Sequence, residues 1–355
     1  MKRATLIFII ALLFTSCKKE APTEQQVNPN GVFVQKVAYV NGAAGQNQPT
    51  ICVADLYNNN NTFRLFNPKF LKDGLGPKLS DDQSWILYIN ENGVTPSVGH
   101  RMNIDGSNDQ EVIATTPGIT IADYNISPDN STIAVTIQDT TTLYYIGMMP
   151  AYGGTVRSLF KDSIQGAYNA TWFPDGKRIF FSYIDRQNRF GHNVAPFWKS
   201  YISSINLDGT GLTFISDTQN GLSDDNQLNV SPDGKSIAFI SYRSFPASRF
   251  GEVFCMDIDG KNVRRLTTAL MSELHTGGPH GDYYDYQAQD DIPLWLKDNE
   301  HIMFSRRTLT YDVSIDKYTE MEDIYIVDKS GSPMQNLTNT GITGLSKKKI
   351  GGKGL

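Results

Sequence analysis

The residues best suited to chemistry lie close together in the last third of the chain. His275 and His280 flank a short polar and aromatic stretch, with Glu273 just before it and Asp282 just after it. Imidazole is the commonest metal ligand in proteins, and carboxylate oxygens favour hard divalent cations. The stretch therefore contains a candidate divalent-metal site made of His275, His280 and Asp282, although this spacing matches no standard metal-binding motif.

Arginine and aromatic side chains are concentrated in the second half of the chain. Arginine binds carboxylates through two parallel hydrogen bonds, and arginine beside tyrosine or tryptophan is typical of the energetic centres of protein interfaces. This composition suits a protein partner or a sugar that carries carboxylates. An equally good interpretation is that these side chains only pack long loops together. The residues assigned to a candidate ligand-binding face are Arg186, Arg189, His192, Trp198, Arg243, Arg249, His275, His280, Tyr283, Tyr284 and Tyr286.

Two classes of function are compatible with these residues. No pairing of a nucleophile with a base can be read from the sequence, so we expect a binding module without catalysis and without a cofactor. The alternative is an enzyme that acts on glycans, a metal-assisted lyase of uronate oligosaccharides, which would depend on His275 and His280. His100 and His301 lie within predicted strands, and we expect structural roles for them.

The elements that must position these residues form a repeat. Ser127–Val135 matches Ser231–Phe239, and Phe173–Phe181 is a third copy; Ser80–Tyr88 and Leu296–Phe304 are degenerate copies. Proline fixes φ, aspartate bonds its own backbone, and glycine or asparagine accepts positive φ, so each copy begins with a tight turn. The alternating apolar run that follows each turn predicts a strand.

A second turn recurs downstream of each copy. Asn103–Gly106, Asn206–Gly209 and Asp257–Gly260 each end in Asp-Gly, which is a strong hairpin signal between two β-rich runs. Each unit therefore holds four strands in about 45 residues, which is typical of a blade of a β-propeller. The sequence predicts an all-β fold with six such blades.

Closure of the ring is predicted to use the end of the chain. Residues 37–67 look like a first blade without its innermost strand, and residues 341–350 could supply that strand, because Gly344–Ser346 echoes Pro77–Ser80. Both classes of short turn should lie at one end of the blades. The long insertions, at about 183–200, 242–251, 269–291 and 307–322, should all lie at the opposite end, where function concentrates on a rigid scaffold.

The repeats resemble those of the TolB-type propeller family. Ser231–Phe239 followed by Cys255–Thr267 is similar to that family's full repeat, and Thr171–Lys177 is similar to its start. The resemblance covers about residues 33–350 and implies the fold more than the function, because the shared residues form turns and core. TolB carries an α/β domain before its propeller, for which we expect no room here, so a role in the Tol–Pal machinery is not implied.

The start of the chain is predicted to be a targeting segment that is not part of the fold. Lys2 and Arg3 precede an apolar run up to Phe14, which suits a signal peptide and is too short to cross a bilayer. The following Thr15-Ser16-Cys17 resembles a lipobox, so we expect a signal peptide over residues 1–16, lipidation at Cys17, a flexible tether over 17–31 and a propeller over 32–355. The alternative is an ordinary signal peptide with an incidental Cys17.

Charge and cysteine content limit the partners further. With 32 basic and 37 acidic side chains the net charge is −5, which excludes the basic surface that nucleic-acid binding needs. The expected location is the outer membrane, as a lipoprotein on its periplasmic side or at the cell surface, held by the lipid alone. The expected partner is an envelope protein or a glycan. Cys52 and Cys255 fall on equivalent strands of separate blades, so we expect two buried free thiols.

Overall fold

The computed structural model describes most of the chain after the predicted tether. The described residues are 31–43, 49–90, 98–114, 119–139, 144–162, 165–190, 197–216, 224–244, 250–278, 281–312, 317–331, 333–338 and 346–350. The predicted signal peptide and Cys17 lie outside them. Every regular element in these ranges is a strand. Among them there is accordingly no helix of the length and hydropathy needed to span a membrane.

The strands form six antiparallel blades, as the repeat predicts. Blade 1 has β1 (Val32–Ala43), β2 (Thr50–Asn59) and β3 (Thr62–Asp73); blade 2 has β4 (Leu75–Leu79), β5 (Trp85–Asn90), β6 (Val98–Asn103) and β7 (Gln110–Ala114); blade 3 has β8 (Thr120–Ile126), β9 (Thr132–Gln138), β10 (Tyr144–Pro150) and β11 (Arg157–Phe160).

The second half of the ring has long strands in blades 4 and 6. Blade 4 has β12 (Gly166–Trp172), β13 (Arg178–Phe190), β14 (Phe197–Asn206) and β15 (Thr213–Phe214); blade 5 has β16 (Asp225–Val230), β17 (Ser236–Ser241), β18 (Glu252–Asp257) and β19 (Arg264–Arg265). The strand β20 (Leu270–Gly278) leads into blade 6, which has β21 (Gly281–Trp295), β22 (His301–Asp312), β23 (Lys317–Asp328) and β24 (Gln335–Asn336). The last strand, β25 (Ser346–Ile350), pairs with β1 and completes blade 1.

The repeated Ser-Pro-Asp sequence makes the turn between the first two strands of a blade. In blade 5 the backbone N–H of Gly234, at φ +69°, donates to the carbonyl of Ser231. The Ser231 hydroxyl donates to Asp233 Oδ1 at 2.7 Å and accepts the N–H of Ser236 at 3.0 Å. The turn is thus closed by its own side chains, which explains why these residue types recur at fixed offsets.

The two ends of the ring differ in their connections. The end that carries the turns beginning at Ser80, Ser127, Phe173, Ser231 and Leu296 is called the turn face. The opposite end, the hairpin face, carries the extensions of β13–β14, β20–β21 and β22–β23. These insertions, expected as loops, are therefore largely two-stranded ribbons over their described parts.

The core lies between the blades. The buried apolar residues described form six clusters, and each cluster joins one blade to the next, including blade 6 to blade 1. Between blades 6 and 1, for example, Leu296 and Met303 pack with Val37, Cys52 and Leu56. A cluster at every junction means that the stability of each blade depends on both of its neighbours.

Ring closure uses polar contacts as well as β25. The side-chain amide of Gln335 accepts the N–H of Phe63 at 2.9 Å and donates to its carbonyl, and Gln35 Oε1 accepts the N–H of Lys297 at 2.9 Å. The predicted use of residues 341–350 is right for β25, but the proposed echo of Ser80 by Ser346 is wrong. Ser346 lies opposite Ala43, at the hairpin face, whereas Ser80 lies at the turn face.

The cysteines and two histidines have the predicted structural roles. Cys52 and Cys255 are buried thiols on the third strands of blades 1 and 5, and burial raises the pKa of the Cys255 thiol to about 11. His100 stacks on Tyr88 with ring centroids 5.3 Å apart. His301 Nδ1 lies 2.8 Å from Asp298 Oδ2.

The His301 pair predicts a pH dependence of stability. The hydrogen bond with Asp298 is the main cause of a pKa of His301 above its usual 6.5. A raised folded-state pKa stabilises the fold fully below pH 6.5, and that contribution is lost as the pH rises through the folded pKa. An NMR titration should show His301 titrating above 6.5, and His301→Gln should flatten this part of the pH–stability curve. A pKa of His301 at or below 6.5 would contradict the assignment.

Candidate functional site

A cavity lies at the turn-face end of the central channel. It has a volume of 580 Å³ and is lined by the first strands of blades 2 to 6 and by β1 of blade 1. Its lining is a mixture of polar and apolar side chains, and a concave site at the centre of a rigid ring is a typical place for a ligand to bind. Representative lining residues from the six blades are Lys36, Lys78, Asp123, Thr171, Asn229 and Leu294.

A bulge in the first strand shapes the cavity wall. Gly76, Asn169, Gln227 and Ile292 occupy equivalent positions in blades 2, 4, 5 and 6 with φ of +58°, +52°, +49° and +49°. At each one the strand register shifts by a residue. The bulge turns the strand and leaves backbone groups that the flanking sheet does not pair.

Side-chain amides from the neighbouring blade bind these backbone groups. Asn169 Nδ2 donates to Asp123 Oδ2 at 3.5 Å, and Asn169 Oδ1 accepts the N–H of Gln227 at 3.4 Å. Gln227 Oε1 in turn accepts the N–H of Ile292 at 2.8 Å. Blades 3 to 6 are thus linked in series along the cavity, and this part of the wall is preformed rather than assembled by a ligand.

Ile292 is the strained member of this ring. A β-branched residue at φ +49° costs about 1–2 kcal/mol relative to a residue that accepts this conformation. We expect Ile292→Asn, which copies Asn169, to raise the free energy of unfolding by about 1 kcal/mol in urea titrations. The reciprocal change Asn169→Ile should lower it. A loss of stability with Ile292→Asn would contradict strain at this position.

The lysines that line the cavity differ in whether another described residue binds their ammonium group. Lys36 Nζ pairs with Asp55 at 2.7 Å, and Lys297 Nζ donates to the carbonyl of Asp81 at 2.6 Å. Lys78, which is half-buried, has no ion pair with any residue that the structure describes. An unengaged ammonium beside a cavity favours a carboxylate from a ligand.

Buried charges mark a second region, beneath the hairpin face. Within the described ranges, every buried charged side chain lies in blade 5 or 6 or directly before the first strand of blade 5. These residues are Asp224, Asp225, Glu252, Asp290, Arg306, Glu322 and Asp323. Burying charge is costly, so such groups are paired or functional. Arg243 Nη2 donates to both oxygens of Asp225 at 2.7 and 2.8 Å.

This charged layer fixes the base of the hairpin formed by β20 and β21. Thr267 Oγ1 donates to Asp290 Oδ2, Glu252 Oε1 accepts the N–H of Ala269 at 2.8 Å, and Arg306 Nη2 donates to the carbonyl of Thr268 at 2.6 Å. Burial raises the pKa of Asp290 to about 7, against the opposing effect of Arg306. The layer therefore anchors the hairpins that carry the residues singled out in the sequence.

Backbone register brings some of the predicted ligand-binding residues together. Arg189 lies opposite Trp198 at the end of the β13–β14 ribbon, and His275 lies opposite Tyr283 in the β20–β21 ribbon. Tyr284 and Tyr286 lie opposite Leu274 and Met271. The backbone N–H of Arg186 donates to Gln165 Oε1. The guanidinium of Arg243 donates to Asp225.

Several predicted residues lie beyond what the structure describes. His192, Arg249 and His280 fall outside the described ranges, and for Asp282 and His275 only the backbone is described. Elsewhere in the described part of the chain, no group of three or more histidine, cysteine, aspartate or glutamate side chains could hold a metal ion. The metal site at His275, His280 and Asp282 stays a prediction.

The central cavity itself was not predicted from the sequence. A signal existed, because the strand before each Pro-Asp turn carries polar residues at alternate positions, as in Asp123 and Asn125 or Gln227 and Asn229. Alternation places these side chains on one face of the innermost strand, which must line the channel of a propeller. The long insertions carry a stronger sequence signal and point to the other face.

Comparison with known proteins supports the fold. No family model matches the chain. An uncharacterized protein of Agrobacterium fabrum is 24% identical over 268 residues, which are 65% of this chain and 83% of that protein. TolB from Acinetobacter baumannii superposes with a TM-score of 0.62 at 17% identity, covering 90% of this chain and 67% of that one.

A second solved structure covers the same part of the chain. The structure described as a putative TolB from Agrobacterium tumefaciens has a TM-score of 0.54 at 18% identity and covers 90% of this chain and 100% of its own. Together with the six blades and the turn that recurs between the first two strands of five of them, these similarities identify the architecture. The chain is a six-bladed β-propeller whose fold is similar to that of the TolB structures.

Proposed function

We propose that this protein is a lipid-anchored envelope protein whose propeller is a non-catalytic binding module. Its cavity takes an extended segment of a partner protein that carries an acidic side chain. The observation that carries the proposal is the preformed 580 Å³ cavity on the ring axis, to which every blade contributes. The prolines that line the cavity offer apolar contact. The side-chain amides that line it are already hydrogen-bonded between blades. A sugar needs many free hydrogen-bonding groups, so the lining favours a peptide.

Lys78 supplies the specific charge in this proposal. Lys78 is half-buried in the cavity wall and has no ion-pair partner among the described residues. A carboxylate of the bound segment would therefore form an ion pair with its ammonium group. Asp123 lies in the same wall, on blade 3, and disfavours an acidic group on that side. The partner's segment is therefore held in one orientation.

Site-specific photo-crosslinking in cells tests the proposal. A photoreactive amino acid at Lys78 should trap one envelope protein. The matched control is Lys235, which lies on the same turn face, outside the cavity, with 82% of its side chain exposed. Recovery of the same proteins from both positions would show that the cavity has no selective occupant and would contradict the proposal.

The envelope location rests on the N-terminal sequence. Thr15-Ser16-Cys17 after the apolar run supports lipidation at Cys17, and two or more acyl chains are needed for stable anchoring. We expect an alkyne-labelled fatty acid to be incorporated into the wild-type protein. Cys17→Ser should abolish the label and move the protein from the membrane to the soluble fraction, whereas Cys52→Ser should leave both unchanged. Full labelling of Cys17→Ser would contradict the assignment.

A further inference from the structure

The strands of blade 1 extend further at the turn face than those of blade 2. In blade 2 the opposite residues Trp85 and Asn103 end β5 and β6 at this face. Lys36 corresponds to Trp85 in the repeat, because the same pattern of apolar residues follows each of them. β1 nevertheless begins at Val32 and β2 ends at Asn59, so these strands and part of β3 project beyond the turn. The projecting residues, called the blade 1 rib, are Val32–Gln35, Leu56–Asn59 and Thr62–Phe66.

The end of the rib is a tight hairpin. Asn60 and Asn61 adopt φ of +50° and +64° between the paired residues Asn59 and Thr62, as in a type I′ turn. The N–H of Asn61 donates to Asn58 Oδ1 at 2.9 Å, which holds the turn in place. The rib is therefore ordered before any partner binds. Its tip is a run of four asparagines, so it is polar and unsuited to insertion into a bilayer.

The two faces of the rib differ in burial. Leu56 and Phe63, on one face, are buried against blade 6. On the other face Phe33 lies opposite Tyr57, and the ring centroids of Phe33 and Tyr57 and of Tyr57 and Phe66 are each 5.6 Å apart in edge-on contacts. Phe33 is 46% exposed, and Tyr57 and Phe66 are partly exposed. The three rings thus form an aromatic surface open to solvent, and contiguous apolar surface of this kind marks interaction sites.

This aromatic surface is continuous with the cavity wall. Lys36 lines the cavity, and its ammonium lies 5.9 Å from the centroid of the Phe33 ring. Gln83, which also lines the cavity, accepts the N–H of Lys36 at 2.8 Å. Whereas Lys36 pairs with Asp55, Arg64 on the same face is exposed and has no ion pair with any residue that the structure describes. The surface therefore complements an acidic chain that leaves the cavity on this side.

We propose that the aromatic surface of the blade 1 rib is the second half of the partner's binding site and takes an apolar side chain of the same extended segment. The carboxylate of that segment pairs with Lys78 in the cavity, and an apolar residue a few positions along it packs on Phe33, Tyr57 and Phe66. A second acidic residue on that side pairs with Arg64. The inference rests on the proposed function, because the segment must occupy the cavity to reach both regions.

Crosslinking at two positions tests this continuity in cells. A photoreactive amino acid replaces Tyr57 in one full-length variant and Lys78 in another, and the crosslinked peptides are sequenced by mass spectrometry. Both positions should trap the same protein at sites within about 15 residues of each other, because about 15 extended residues span about 50 Å. Phe70 is the matched control: it is 60% exposed on the same strand as Phe66 but outside the rib, and it should not trap this segment.

The outcomes separate this inference from the proposed function. A protein trapped at Lys78 but not at Tyr57 would overturn the inference and leave the proposed cavity site standing. Different proteins, or distant segments of one protein, at the two positions would also overturn it. A protein trapped at Tyr57 alone, or at neither position, would contradict both proposals.

Affinity for a synthetic peptide of the trapped segment measures the contribution of the rings. With the purified full-length protein, Phe33→Ser should weaken binding about tenfold, because an aromatic anchor is lost from the site. Phe70→Ser removes a more exposed ring from the same blade and should change the affinity less than about twofold. Urea titrations of both variants check that the fold is intact. Equal affinities of the two variants would show that the rib does not bind the segment.

The charge of the rib gives a further measurement on the same peptide. Arg64→Glu lies at an exposed position and should not disturb the fold. It should weaken binding and reduce its dependence on salt concentration, because an ion pair with the second acidic residue is replaced by repulsion. Unchanged affinity and salt dependence would exclude that acidic contact.

Discussion

Replacement of Gly260 by alanine should lower the free energy of unfolding by about 3 kcal/mol or more. Gly260 adopts φ +85° in the Asp-Gly turn of blade 5, and a Cβ atom there would lie 2.1 Å from the carbonyl oxygen of Ile215. The obstacle is backbone of the preceding blade, which cannot rotate away as a side chain could. Left-handed strain of about 1–2 kcal/mol and overpacking of about 1–3 kcal/mol add at this site.

Gly176→Ala is the matched control. Gly176 has φ +69° in the Pro-Asp-Gly turn of blade 4, and a Cβ there would have nothing within 4 Å. Its substitution should therefore cost only the backbone term, about 1 kcal/mol, in parallel urea titrations. Equal losses for the two variants would show that the contact with Ile215 is unimportant.

The same approach is weaker at the equivalent turns. A Cβ at Gly209 would lie 3.2 Å from the carbonyl oxygen of Leu159, whereas one at Gly153 would lie 3.4 Å from that of Val112, which is ordinary contact. At Gly209 and Gly260 glycine thus permits neighbouring blades to pack closely, and at all three positions it permits the positive φ of the turn.

The second large effect is expected from Arg243→Ala. The side chain of Asp225 is fully buried, and Arg243 is the cation that binds both of its oxygens. Removing the guanidinium leaves an uncompensated buried carboxylate, which typically costs about 3–5 kcal/mol. Because Arg243 is itself about a quarter exposed, water can enter, and we expect the lower end of that range.

The double variant Asp225→Asn with Arg243→Ala separates charge from packing. It removes the buried charge together with its partner, so it should be more stable than Arg243→Ala alone when both are unfolded with urea. Ser241 Oγ, which donates to Asp225 Oδ1 at 2.7 Å, can still bind the amide oxygen. A double variant less stable than the single one would show that the pair acts by packing alone.

The structure gives Arg243, one of the predicted ligand-binding residues, a different role. The sequence predicts a binding role for Arg243, because arginine beside aromatic residues is typical of interfaces. In the structure it neutralises Asp225 beneath the hairpin face and packs 5.2 Å from the ring of Phe254. Sequence alone cannot separate these roles, because the partner lies 18 residues away on another strand.

The fold could be predicted because its determinants are local. Ser231, Asp233 and Gly234 close a turn through bonds within six residues, and the same types recur at Ser127 and Asp129. Ring closure was harder to place, since an echo of three residues, Gly344–Ser346, does not fix the register of a strand. Pairing of Ser346 with Ala43 depends on the whole ring.

The cavity required the structure for a different reason. Its polar residues, such as Asn169 and Gln227, hold one another across blades that are far apart in sequence. Long insertions with arginine and aromatic residues give a stronger sequence signal, yet their ribbons lie at the opposite face. The cavity at the turn face and the candidate residues at the hairpin face are therefore two separate regions of the molecule.

The most direct test of the central claim is recovery of the partner by two single variants, Lys78→Glu at the turn face and Trp198→Ala at the hairpin face, each purified from cells after crosslinking. The account predicts that Lys78→Glu loses the partner, because it places a negative charge where the bound carboxylate would lie, and that Trp198→Ala retains it. Loss of the partner with Trp198→Ala and its retention with Lys78→Glu would contradict the account and place binding at the hairpin face.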